Sequence, residues 1–263
     1  MANLNSALVL YFGALILYVV SIFFDSPNLE LFSRPIIIPS IYYFYFISVK
    51  GRVNLLFSVS ILSFFIGEIL YLISASDFLI PGLICFGIPY FIVVYFLCQD
   101  FLFYLKKKKY RINNLSFYIV LLLLFYLLYN VLSFINETSQ LEFSIYIMYG
   151  ILLFVMGIIT FLIQFNFNNR TILFMVLMVT SFIVSDLFFI FSEKMKDVIA
   201  LKLINVISQQ SSYFLFVCYF IYRTRFKIYG KSDFLKMNYK LHHNILTTTF
   251  YRFIIRKIKI DFT

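Results

Sequence analysis

Leu55–Ile73 reads LLFSVSILSFFIGEILYLI, nineteen residues with one charge, Glu68. Helical rise makes that run roughly 28 Å long, close to the hydrocarbon thickness of a bilayer. Such runs recur along the whole chain of 263 residues, of which 62% are hydrophobic and only 13% charged. A soluble domain of this length needs far more polar surface. The reading is an all-α, polytopic membrane protein.

Eight spans are expected, at roughly 7–24, 35–49, 55–73, 78–98, 115–135, 143–165, 172–191 and 203–222. They form a single bundle over residues 1–222, with residues 223–263 as a basic cytoplasmic tail. The first run, Ala7 to Phe24, lacks a basic leader and a small-residue cleavage site, so it reads as a retained helix. The second is short and holds Pro35 and Pro39. Of 22 Lys and Arg, 18 fall on the side of the termini and four (Arg34, Lys194, Lys196 and Lys202) on the other. That bias puts both termini in the cytoplasm of a cell-membrane protein. The net charge of +10 is therefore a topology signal and not a nucleic-acid signal. The tail interleaves its basic residues with Tyr and Phe, which suits anionic lipid at the inner leaflet.

Glu68 closes the hexapeptide SFFIGE, Ser63–Glu68, and Asp186 closes SFIVSD, Ser181–Asp186. Of the twelve acidic residues, these two alone lie well inside the expected spans. An acid in hydrocarbon costs several kcal/mol and marks function by default. Both stand five residues from the outer end of their expected spans, in parallel helices. The repeat suggests two parallel four-helix halves related by an axis along the membrane normal, with the acids facing each other. Other polar residues share this outer level: Ser40, Tyr42 and Tyr43, Asn130, Tyr149, Gln209 and Gln210. Together they describe a pocket for a lipid-like molecule with a polar head and an apolar tail. Cys85, Cys98 and Cys218 lie in apolar runs with no metal spacing, and the two histidines, His242 and His243, lie in the tail. No cofactor or metal is implied, and no Ser-His-Asp hydrolase can be assembled within the membrane.

Gly67-Glu68 and Ser185-Asp186 resemble the Gly-Asp and Ser-Asp pairs of the YhhN-like family of eight-span proteins, which includes the lysoplasmalogenases. Arg34-Pro35 looks like that family's Lys-Pro, Tyr149 and Met156 like its Tyr and Met seven apart, and Ser212-Tyr213-Phe214 like its small-Tyr-Tyr run. There are departures. The first acid is Glu68, Tyr90 stands near the family's histidine, and the glutamine after the Tyr pair is missing, with Gln209 and Gln210 a turn earlier. The resemblance implies hydrolysis of the vinyl ether bond of a lysoplasmalogen, with Glu68 and Asp186 as catalytic carboxyls. The expected pocket joins Ser40, Tyr43, Asn130 and Gln209, taken from the shared outer level, to Tyr90, Tyr149, Ser185 and Tyr213, which stand at or near the motif positions. The chemistry is acid catalysis through an oxocarbenium ion, in which one carboxyl protonates and the other stabilises. Two alternatives stand beside it: a proton-coupled transporter using the buried acids, and a non-catalytic membrane protein of the same fold.

Overall fold

The computed structural model describes residues 2–50, 52–75, 77–105, 115–134, 140–167, 169–195 and 198–241. Side chains are described from Ser6 to Arg225, except at Ser116, Asn130, Val131, Ser133, Phe134 and Lys194 within those ranges. Among the described residues there are eight α-helices: α1 (Ala2–Phe23), α2 (Pro27–Ser48), α3 (Leu55–Ile73), α4 (Leu79–Leu105), α5 (Leu115–Phe134), α6 (Gln140–Asn166), α7 (Arg170–Lys194) and α8 (Ile199–Leu241). Five of these helices (α1, α3, α4, α6 and α7) contain stretches long and apolar enough to cross a membrane. The protein is a membrane protein of several spans. Its outer surface agrees: Val9, Ile16, Leu55, Leu115 and Leu122 are 63% to 77% exposed. Large apolar side chains in that number face lipid, because water would drive them inward.

The helix starts are chemically specified. Asn54 and Asn169 cap α3 and α7, accepting from the backbone N–H of Phe57 at 3.1 Å and of Ile172 at 2.9 Å. Pro27 opens α2 in the first turn, where its missing N–H costs nothing. The helix therefore begins eight residues before the expected 35, and Pro35 and Pro39 lie inside it. Asp25 takes a left-handed φ of 45° in the α1–α2 turn, a conformation that Asp tolerates better than most residues.

Helices α2, α3, α4, α6, α7 and α8 close a ring, each packing on the next, and α8 returns to α2. Helix α1 lies outside the ring against α2 and α8, and α5 lies outside it against α6. The buried core runs down the middle, with Phe57, Phe64, Phe182, Phe216 and Phe220 among its largest side chains.

Two helix ends depart from the sequence reading. Helix α4 continues past residue 98 to Leu105, which brings Asp100 into the bundle. Helix α8 continues past Tyr222 as one helix to Leu241. The two extensions meet. Arg223 Nε donates to both oxygens of Asp100 at 2.8 and 2.9 Å, and its Nη2 donates to Gln99 at 2.9 Å. Tyr219 OH donates to Asp100 at 2.6 Å. The guanidinium lies over the Phe96 ring, 4.7 Å from its centroid. Arg223 thus belongs to the bundle, not to a free tail, and Asp100 is a buried acid that the expected spans left outside. A polar Gln-Asp pair interrupts the apolar run of α4, but its partner enters from α8 and removes the reason for the helix to stop.

Candidate functional site

The two repeated hexapeptides meet at the centre of the ring. Phe64 of the first and Phe182 of the second stack with centroids 5.8 Å apart and planes 21° apart. Phe64 also packs on Tyr213, at 4.8 Å, and Phe182 on Tyr90, at 5.1 Å. Each tyrosine then serves an acid across the molecule. Tyr213 OH on α8 donates to Glu68 on α3 at 2.9 Å. Tyr90 OH on α4 donates to Asp186 on α7 at 2.8 Å. One acid-and-tyrosine unit is therefore repeated about the stacked phenylalanines.

The units differ in charge. Arg34 of α2 donates to Glu68 Oε2 through Nη2 at 2.7 Å and through Nε at 3.2 Å, and its Nη1 reaches Glu30 at 2.8 Å. Its guanidinium also sits over the Tyr18 ring. Gln210 approaches Glu68 Oε1 at 3.5 Å. Glu68 is thus a buried carboxylate neutralised by a cation, the arrangement that buried charges require. Among the described residues, no such cation contacts Asp186. Its Oδ1 accepts from Tyr90, and its Oδ2 is buried without a hydrogen-bond partner. In an apolar setting the species this accommodates is the uncharged carboxylic acid. Asp186 stands eight residues from the end of α7, against five for Glu68 in α3, because α7 runs on to Lys194.

Asp186 lies on the wall of a cavity of about 520 Å³, a size that suits one small-molecule ligand. The wall has two characters. Its rim, by the starts of α2 and α8 and the end of α7, carries Glu30, Arg34, Glu193, Lys202, Asn205 and Gln209. Its inner arm, between α5, α6 and α7, is lined by Leu124, Leu127, Leu128, Leu153, Phe154 and Ile183. Glu68 stands behind this wall, holding Arg34 and Tyr213, which form part of it.

Of the residues singled out from the sequence, Tyr90, Tyr149, Ser185, Asp186, Gln209 and Tyr213 are brought together on this cavity. Ser185 Oγ donates to Asn205 at 3.2 Å, Gln209 Nε2 donates to Tyr213 OH at 3.1 Å, and Tyr149 OH donates to the Leu83 carbonyl. Ser40 and Tyr43 are not part of it. Ser40 turns its hydroxyl onto its own helix, donating to the Ile37 carbonyl at 2.8 Å, as serines in apolar helices do. Tyr43 is 49% exposed, because the inward face of α2 is set by Ile37, Ile41 and Tyr45. Asn130 falls outside the described side chains. The sequence reading missed Glu30, Tyr71, Glu193, Lys202 and Asn205, and it read Arg34 only as a loop charge and a motif residue. The i, i+4 spacing of Glu30 and Arg34 was the available signal.

No family model, curated protein or solved structure matches this chain.

Proposed function

We propose that this protein is an integral membrane hydrolase of the lysoplasmalogenase type. It would cleave the vinyl ether bond of a lysoplasmalogen or a related single-chain ether lipid. The observation that carries the reading is Asp186 Oδ2: a buried carboxyl oxygen without a protein partner, on the wall of a cavity polar at one end and apolar at the other. The rim suits a lipid head and the arm a single hydrocarbon chain. The motif resemblance at Ser185-Asp186 and Gly67-Glu68 supports the same choice.

Asp186 acts first as acid. Its proton adds to the β-carbon of the vinyl ether, the π pair forms the new C–H bond, and an oxocarbenium ion results. Water then adds to the cationic carbon and returns a proton to the Asp186 carboxylate. The hemiacetal then collapses: the Asp186 carboxyl gives its proton to the ether oxygen as the bond from that oxygen to the hemiacetal carbon breaks, and the hemiacetal hydroxyl loses its proton to form the aldehyde carbonyl and restore the acid. One water is consumed, and a fatty aldehyde and a glycerol hydroxyl are released. In this scheme Glu68 is a positioning residue. Its charge is matched by Arg34, and it fixes Arg34 and Tyr213 at the wall. That pairing also weakens the proton-transporter alternative, since a carboxylate held by arginine is poorly placed to relay protons.

The proposed architecture is eight spans in two parallel halves, α1–α4 and α5–α8. The helix neighbours support it: α1 on α2 matches α5 on α6, α3 on α4 matches α7 on α8, and α4 on α6 matches α8 on α2. Both termini would be cytoplasmic, with the cavity rim on the outer side and the basic C-terminal residues on anionic lipid. Reporter fusions in the 74–77 loop and at the C-terminus should then report opposite sides, and same-side signals would reject the orientation. The functional test is direct. Purified protein in mixed micelles with a lysoplasmalogen should release fatty aldehyde and leave an acyl-ester lysolipid intact. Failure to release aldehyde from any vinyl ether lysolipid would reject the enzyme reading.

A further inference from the structure

We propose that Tyr71 is a catalytic residue of this site, holding the water that adds to the oxocarbenium carbon; this rests on the hydrolase reading. Tyr71 lies on α3, one turn beyond Glu68, and its ring is fixed from three sides. It packs on Phe86 with centroids 5.6 Å apart and on Phe189 with centroids 6.1 Å apart. Its edge lies over Gly82, where an added Cβ would stand 2.7 Å from Cε2 of the ring. Only glycine leaves room for the ring at that height, so α4 is shaped to seat this tyrosine.

Its hydroxyl is nevertheless unsatisfied. Tyr71 OH is buried without a hydrogen-bond partner, as is Asp186 Oδ2, and both residues line the same cavity. Phe189, which touches the Tyr71 ring, is three residues beyond Asp186 and so on the same face of α7. The hydroxyl and the free carboxyl oxygen therefore belong to one wall of the cavity, about one helical turn apart along α7. Buried polar groups in native proteins have partners. Phenylalanine would fill this seat equally well and would bury no hydroxyl. Two orphaned oxygens on one cavity wall call for a small polar species between them. In the proposed reaction that species is water, since Asp186 has given up its proton when water adds and is ready to accept one. Tyr71 orients the water while Asp186 takes its proton, and the new C–O bond forms at the cationic carbon.

The test uses the purified full chain, a vinyl ether lysophospholipid and D2O. In the wild type, water captures the cation before the new C–D bond can revert, so substrate recovered at half conversion carries no deuterium. In Tyr71→Phe the capture slows. The cation then returns a proton from its CHD carbon to Asp186, and recovered substrate carries deuterium at the β-vinyl carbon. We expect kcat to fall by about 10- to 100-fold with KM unchanged. Gly82→Ala, which displaces the ring, should produce the same label and guards against a folding defect in the first variant. Wild-type rates in both variants would overturn the proposal. So would slow cleavage with unlabelled recovered substrate, because a merely structural role cannot make protonation reversible. A wild type that releases no aldehyde overturns the hydrolase reading and this inference with it.

Discussion

Asp186→Asn should lower aldehyde release by about 10²- to 10⁴-fold while leaving the bundle assembled. The amide keeps the volume of the side chain and still accepts from Tyr90. It removes the carboxyl proton that the proposed scheme delivers to the alkene carbon. Because Oδ2 has no partner to lose, the melting temperature should stay near that of the wild type. Glu68→Gln should behave differently. Arg34 would keep Glu30 but lose its closest counter-charge, 2.7 Å away, in a setting where breaking a buried pair costs about 3 to 5 kcal/mol. Part of that cost is offset by Glu30, so a loss of a few kcal/mol of stability is expected. KM should rise as Arg34 leaves the rim. Comparing the two variants by melting temperature, kcat and KM separates the roles. If Glu68→Gln melted like the wild type and lost kcat as fully as Asp186→Asn, the two acids would form a catalytic pair, and the positioning role would be wrong.

That asymmetry shows what the sequence can carry. Helix α3 was legible to the residue, 55–73, because its apolar run is bounded by Asn54 at one end and Ser74 at the other. The two acids were legible because charge in an apolar run is costly anywhere. Their division of labour was not, since it depends on Arg34, which stands 34 positions before Glu68 and about two turns into a helix that the two prolines obscured. Ser40 and Tyr43 share the right depth but not the right azimuth, and depth is all that position in a span provides. Tyr71 gave no signal in a chain with 21 tyrosines. What distinguishes it is a hydroxyl left without a partner and a glycine beneath its ring, both properties of the assembled helices. The end of α8 was misread for a related reason: a basic residue after an apolar run ordinarily marks the membrane edge, and only the fold reveals Asp100 waiting for Arg223.

The Asp100–Arg223 pair makes the length of α8 decisive. Truncation after Tyr222 should destabilise the protein severely, whereas truncation after Arg225 should leave it near wild type. The two chains differ by three residues, and Arg223 is the one bonded to Asp100, Gln99 and the face of Phe96. Removing it leaves a carboxylate that is 6% exposed with Tyr219 as its remaining named donor, at a cost of about 3 to 5 kcal/mol. Arg223→Met should reproduce the loss in the full-length chain. Asp100→Leu combined with Arg223→Met should recover most of it, because replacing both partners by apolar residues of similar volume is often neutral. Thermal melting in detergent provides the measurement. Neither residue lines the cavity, so whatever fraction of each variant remains folded should cleave substrate at the wild-type kcat. A protein truncated after Tyr222 that melted with the wild type would show that the pair contributes nothing to the bundle. The bundle would then end at Tyr222, as the hydropathy of the sequence had it.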